Sequence, residues 1–196
     1  MIILYGGSFN PPTVAHYEIS AHLISKYHPK AFIFIPVGNN YNKDNLIPFY
    51  HRYEMLKIVA KKLPNAYVSD FENQEVYKGT ITTLDHFQAL YKSEMIYYVI
   101  GADNLVTITT WINYERLLKD YHFIVLKRNN LDVKNFINQN ELLNKYLTSF
   151  IVEDDFKETD VQASDYRILH KDEIVLKEVN EYIYKYHLYG RGDENA

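Results

Sequence analysis

The sequence predicts an α/β domain built on a doubly wound parallel sheet. Three observations carry this. Six short runs are nearly all apolar, as strands covered on both faces are. Longer amphipathic segments separate them, so strands and helices alternate and right-handed crossovers follow. Four of the seven glycines (Gly6, Gly7, Gly38 and Gly101) fall at the carboxyl ends of predicted strands. That is the edge at which open α/β sheets bind ligands.

Strands are expected at Ile2–Tyr5, Ala31–Pro36, Ala66–Ser69, Ile96–Ile100, Phe123–Leu126 and Phe150–Val152. The first helix shows Tyr17, Ala21, Ile24 and His28 on one stripe, and the second Tyr53, Leu56, Val59, Ala60 and Leu63. Further helices are expected over Thr83 to Tyr91, Trp111 to Lys119, Val133 to Tyr146 and Val175 to Tyr186. With 196 residues, no repeat and no Gly/Ser linker, the reading is one domain over 1–190 and a polar tail over 191–196.

Composition excludes several classes of function. Hydrophobic residues make up 47% and charged residues 23%, which is globular rather than disordered usage. Lys and Arg number 21 against 25 Asp and Glu, a net charge of −4, so there is no basic face for a nucleic-acid backbone. A small phosphorylated ligand needs only a few donors in one pocket. With no cysteine there is no disulfide, thiolate nucleophile or Cys-ligated zinc, and the histidines show no metal spacing. Met1–Gly7 carries no basic leader. No run approaches the roughly 20 apolar residues of a membrane span. A soluble cytoplasmic protein is expected, with no membrane partner.

The segment Tyr5-Gly6-Gly7-Ser8-Phe9-Asn10-Pro11-Pro12-Thr13-Val14-Ala15-His16 carries the most chemistry. Two glycines leave the strand and let backbone N–H groups approach a ligand. Thr13 suits an N-cap, which puts His16 in the first helical turn. A helix N-terminus carries about half a positive charge and free N–H groups, so it attracts phosphate. The Gly-Lys-Ser/Thr ending of a P-loop is missing, and so is the G-x-G-x-x-G fingerprint.

These residues resemble the nucleotidyltransferase superfamily, whose [His/Thr]-x-Gly-His motif follows the first strand. Thr13-Val14-Ala15-His16 matches its first and last positions, and Ala15 stands where Gly is usual. Its methyl is expected to narrow the phosphate site. Within the superfamily the chain is similar to bacterial nicotinate (or nicotinamide) mononucleotide adenylyltransferases. Gly6–Pro12, Lys43, Arg52 with Met55, Thr80-Ile81-Thr82-Thr83-Leu84, Gly101-Ala102-Asp103, Trp111, Val179, Tyr182-Ile183 and Leu188-Tyr189 carry that likeness. Asn10 replaces a common Asp. The second superfamily signature, usually Ser-Ser-Thr-x-Ile-Arg, falls on Gln162–Arg167, where only Ser164 and Arg167 persist.

The resemblance implies a Rossmann-like nucleotidyltransferase fold and adenylyl transfer from ATP to a pyridine mononucleotide, with Mg²⁺ held by ATP. The implied ATP-binding residues are Gly6, Gly7, Ser8, Phe9, Thr13, His16, Ser164 and Arg167, with His16 and Arg167 catalytic. Lys43, Thr80, Asp103 and Trp111 are the implied mononucleotide contacts. A guanidinium suits phosphate oxygens, and an indole suits a cationic ring. Many members form dimers, so a homodimer is the implied assembly. Two other readings stay open. One is a different acceptor, either nicotinamide mononucleotide or pantetheine phosphate. The other is a nucleotide-binding sensor with weakened catalysis.

Overall fold

The computed structural model describes residues 1–41, 45–127, 131–156 and 161–191. Six strands are described: β1 (Ile2–Gly7), β2 (Ala31–Pro36), β3 (Ala66–Val68), β4 (Ile96–Gly101), β5 (His122–Leu126) and β6 (Phe150–Glu153). They pair in parallel in the order β3-β2-β1-β4-β5-β6. Ile2 of β1 faces Ala31 on one side and Ile96 on the other. The sequence reverses direction across the sheet between β1 and β4, which makes that junction the switch point.

Successive strand residues point to opposite faces. Ile2 and Leu4 join one apolar layer with Ile33, Ile35, Tyr98, Ile100, Phe123 and Val125. Ile3 and Tyr5 join the other with Phe32, Phe34, Val99, Ile124 and Leu126. Both layers are buried, which is why these strands carry no polar alternation.

Helices cover both faces. On the Ile3 side lie α1 (Val14–Tyr27), α2 (Phe49–Ala60), α8 (Ala163–Leu169) and α9 (Lys177–Lys185). On the Ile2 side lie α3 (Thr80–Leu90), α4 (Ala102–Thr107), α5 (Tyr114–Asp120), α6 (Val133–Gln139) and α7 (Glu141–Lys145). Three differ from the predicted helices. The Thr83 helix begins at Thr80, after Gly79 at φ 86°. The Trp111 helix begins at Tyr114, after Asn113 in the left-handed region, and Trp111 follows a single 3₁₀ turn. The Val133–Tyr146 helix is broken at Asn140, whose side chain accepts from the Leu143 N–H and starts a new helix. The six-residue α4 has too few residues to show a helical period in sequence.

Among the described residues no helix is long and apolar enough to cross a membrane.

Candidate active site

The carboxyl ends of β1 and β4 open into a cavity of about 490 Å³, a size typical of small-molecule sites. Gly6, Gly7, Ser8 and His16 line one part of it, and Gly101, Asp103 and Asn104 line the end of β4. Tyr41, Glu72, Tyr77, Gly79, Thr80, Tyr98 and Trp111 form the opposite wall.

The first turn is shaped so that its carbonyls face the protein. The Val37 N–H donates to the Gly7 carbonyl at 3.0 Å. The Arg52 Nη1 donates to the Ser8 carbonyl at 3.0 Å. Arg52 is fully buried, its Nε donates to the Ile47 carbonyl, and Nη2 has no partner among the described residues. Burial lowers its pKa to about 10, which leaves a positive charge behind the turn at neutral pH. At Gly6 a Cβ would stand 1.8 Å from the Tyr98 hydroxyl oxygen, so glycine is required by close approach. Phe9 holds a left-handed backbone at φ 46°. Its ring, 1% exposed, packs edge-on against Tyr5, His16 and Phe34.

Asn10 ties this turn to three other segments. Its Nδ2 donates to the Asn45 carbonyl at 2.8 Å. Its Oδ1 accepts from the Ile47 N–H at 3.3 Å and from the Tyr189 hydroxyl at 2.8 Å. Its carbonyl accepts from Arg167 Nη1. An aspartate could not donate to Asn45, so the departure from the usual Asp matches the local bonding.

Thr13 and His16 form a unit. The Thr13 N–H donates to His16 Nδ1 at 2.9 Å, and the Thr13 hydroxyl stands 2.8 Å from the same nitrogen. A backbone N–H can only donate, so Nδ1 is the acceptor and the neutral ring carries its proton on Nε2. This fixes a donor on the ring nitrogen opposite Thr13. No acid occupies the first turn of α1, so the positive helix end is not neutralised there.

The predicted residues separate into groups. Gly6, Gly7, Ser8, His16, Thr80, Asp103 and Trp111 meet at the cavity. Phe9 and Thr13 lie beneath it, shaping the turn and orienting His16. Ser164 and Arg167 do not line it: Ser164 Oγ donates to Gln162 at 3.4 Å, and Arg167 holds the Asn10 carbonyl. Lys43 lies outside the described residues, as do 192–196 of the expected tail. Ala15 corrects an expectation: it is 2% exposed and absent from the cavity wall, so its methyl does not narrow the site.

The opposite wall was less visible in sequence. Trp111 meets Tyr98 edge-on, 6.3 Å between ring centres. Tyr77 and Thr80 hydroxyls stand 3.2 Å apart. Burial pushes Tyr77 up to about 12 and raises Tyr98 well above the usual phenol value, so both stay protonated donors. Glu72 is 9% exposed and accepts from the Thr83 hydroxyl at 2.7 Å. Burial raises its carboxyl to about 7, against the Thr83 bond, which lowers it. In sequence Glu72 sits in a polar stretch and reads as solvated, and Tyr98 reads as core.

A parallel sheet of this strand order, with a glycine turn, a helix-start histidine and an aromatic wall at its switch point, defines a nucleotide-binding α/β protein. The profile of the cytidylyltransferase-like family matches residues 4–169. A protein of Acholeplasma laidlawii named "Probable nicotinate-nucleotide adenylyltransferase" is 38% identical over 131 residues, 66% of this chain and 69% of its own. One of Clostridium acetobutylicum with the same name is 32% identical over 166 residues, 82% of each chain. The fold is shared with Plasmodium falciparum nicotinic acid mononucleotide adenylyltransferase in complex with NaAD, at TM-score 0.79 and 22% identity, covering 96% of this chain and 97% of that one. The chain belongs to the cytidylyltransferase-like family, and within it to the nicotinate-nucleotide adenylyltransferases.

Proposed function

We propose that the chain transfers the adenylyl group of ATP to nicotinate mononucleotide, giving deamido-NAD and pyrophosphate, a step of NAD biosynthesis. One observation carries the reading: a single crevice joins the glycine turn and His16 to a wall bearing Trp111 and the start of α3. The first end suits a polyphosphate, and the second suits a flat charged ring.

A phosphate oxygen of the mononucleotide attacks the α-phosphorus of ATP. The bond from that phosphorus to the bridging oxygen breaks, and pyrophosphate leaves with the electron pair. No protein nucleophile is required, so the protein positions the groups and stabilises charge. In this reading His16 Nε2–H and the backbone N–H groups of Gly6–Phe9 and of the α1 start donate to phosphate oxygens. Thr13 holds the His16 tautomer, and Arg52 keeps the Ser8 carbonyl away from the anion. Arg167 exchanges the Asn10 carbonyl for a phosphate oxygen, a charged acceptor that binds a guanidinium more strongly, with Ser164 beside it. Mg²⁺ arrives as part of the ATP substrate, held by phosphate oxygens and water. Asp103 accepts from ribose hydroxyls, Trp111 stacks on the pyridine ring, and Lys43 contacts the mononucleotide phosphate. The N–H groups at the start of α3, beside Thr80, receive the ring carboxylate.

The reading also implies action in the cytoplasm as a homodimer, for which light scattering gives the assembly. The direct test is pyrophosphate release from ATP and Mg²⁺ with each mononucleotide. Release with nicotinate mononucleotide exceeding that with the nicotinamide form is expected, with Trp111 fluorescence quenched by nicotinate mononucleotide and not by phosphopantetheine. Release with neither mononucleotide overturns the reading.

A further inference from the structure

The wall that receives the pyridine ring contains a buried acid the mechanism does not use. Glu72 lies between β3 and α3, lines the cavity, and is pinned to α3 by the Thr83 hydroxyl at 2.7 Å through Oε1. Among the described residues the Thr83 hydroxyl is the one side-chain partner of this carboxyl, and Glu72 keeps a 9% exposure at the cavity wall. Thr80 and Thr83 are three residues apart on one helix, so they share a face. The carboxyl therefore sits beside the first turn of α3, where Gly79 and Thr80 line the cavity.

No cation among the described residues of this wall offsets it. His16, at the other end, is the only ionisable base among the described cavity residues. The groups facing Glu72 are neutral hydroxyls: Thr83 from α3, Tyr98 from β4 and Tyr77 from the segment before α3, with Tyr41 packed edge-on against Tyr77. His86 of α3 stacks on Phe71, one residue before Glu72, at 3.9 Å. Two carboxylates sharing such a site cannot both stay ionised without a large penalty.

We propose that Glu72 sets the choice between acid and amide acceptors: binding of the nicotinate ring takes up one proton at Glu72, and binding of the nicotinamide ring does not. Protonated, Glu72 presents an O–H to the ring carboxylate. Ionised, it repels that carboxylate, whereas a carboxamide, which both donates and accepts, meets either state of Glu72 equally. The raised carboxyl of Glu72 puts this exchange near neutral pH. The inference rests on the adenylyl-transfer reading and deepens it.

The test is the ratio of kcat/KM for nicotinate over nicotinamide mononucleotide, measured from pH 6 to pH 8 for the wild type and Glu72→Gln. Both substrates carry the same phosphate, so its own titration cancels in the ratio. A single group titrating near 7 makes the wild-type ratio fall about tenfold over that interval. Glutamine still accepts from Thr83 but carries no charge, so the variant's ratio should stay flat at the wild-type low-pH value. A flat wild-type ratio, or an equal fall in the variant, overturns the proposal while adenylyl transfer stands. If Glu72→Gln does not fold, the wild-type profile decides alone. No turnover with either mononucleotide sinks both readings.

Discussion

The two ends of the cavity are built in opposite ways. The phosphate turn is clamped: Asn10, Arg52, Tyr189 and Arg167 tie it to the segment after β2 and to the C-terminal elements. The wall after β3 is pinned at its buried side by the Glu72–Thr83 bond and elsewhere reaches the surface. Asn40 bonds the Gln74 and Glu75 carbonyls at the surface, Val76 is 64% exposed, and Tyr77 is 37% exposed. The difference follows from the ligands proposed for each end. Charge develops on phosphate oxygens during transfer, and donors that are already in place stabilise it best. A ring that only has to bind can be met by aromatic surface and a few polar groups.

The contrast can be broken at several points. Removing one donor to developing charge costs about 2.7–4 kcal/mol, so His16→Ala should lose roughly 10²–10³ in kcat with its unfolding midpoint kept. Steady-state kinetics beside a thermal melt check this, and kcat within threefold of wild type would remove His16 from the mechanism. Gly6→Ala pushes a methyl onto the Tyr98 hydroxyl. A misplacement near 1 Å is worth about 10²-fold in rate, and the same assay reads it.

Stability separates the two ends further. Asn10→Ala strips partners from the exposed Asn45 and the half-buried Ile47 and Tyr189, and these lost bonds should cost about 1–3 kcal/mol in urea unfolding. Asn40→Ala, which loses two exposed bonds, should change stability by about 0.5 kcal/mol or less. Equal losses would erase the contrast.

Glu72 supplies a pH test with a definite sign. Its folded pKa of about 7 lies above the ordinary carboxylate value of 4.5. The wild type therefore loses stability as pH rises from 4.5 through 7, and the loss is complete above 7. Glu72→Gln should match the wild type near pH 4.5 and exceed it at pH 8 by about 2–3 kcal/mol, read from urea midpoints at the two pH values.

Much of the fold was legible because strand patterning is local. Each predicted strand overlaps an observed one, and the runs at 31–36 and 2–5 differ from β2 and β1 by two residues at most. Helix starts were less legible. Gly79 and Asn113 begin helices through backbone conformations with positive φ, which residue spacing does not reveal. The phosphate turn announced itself through Gly6, Gly7, Thr13 and His16, all within one β-to-α junction. Arg167 was placed by a distant motif and lands on the turn's backbone rather than in the cavity.

The amino-acid order by itself determined the alternation of buried strands and amphipathic helices, the glycine edge and the helix-start histidine. Each of these is set by neighbours a few residues apart. Only the tertiary structure decided which polar groups became buried. Glu72 meets Thr83 and Arg52 meets Ser8 across separate elements, and a side chain's charge depends on the medium that folding wraps around it.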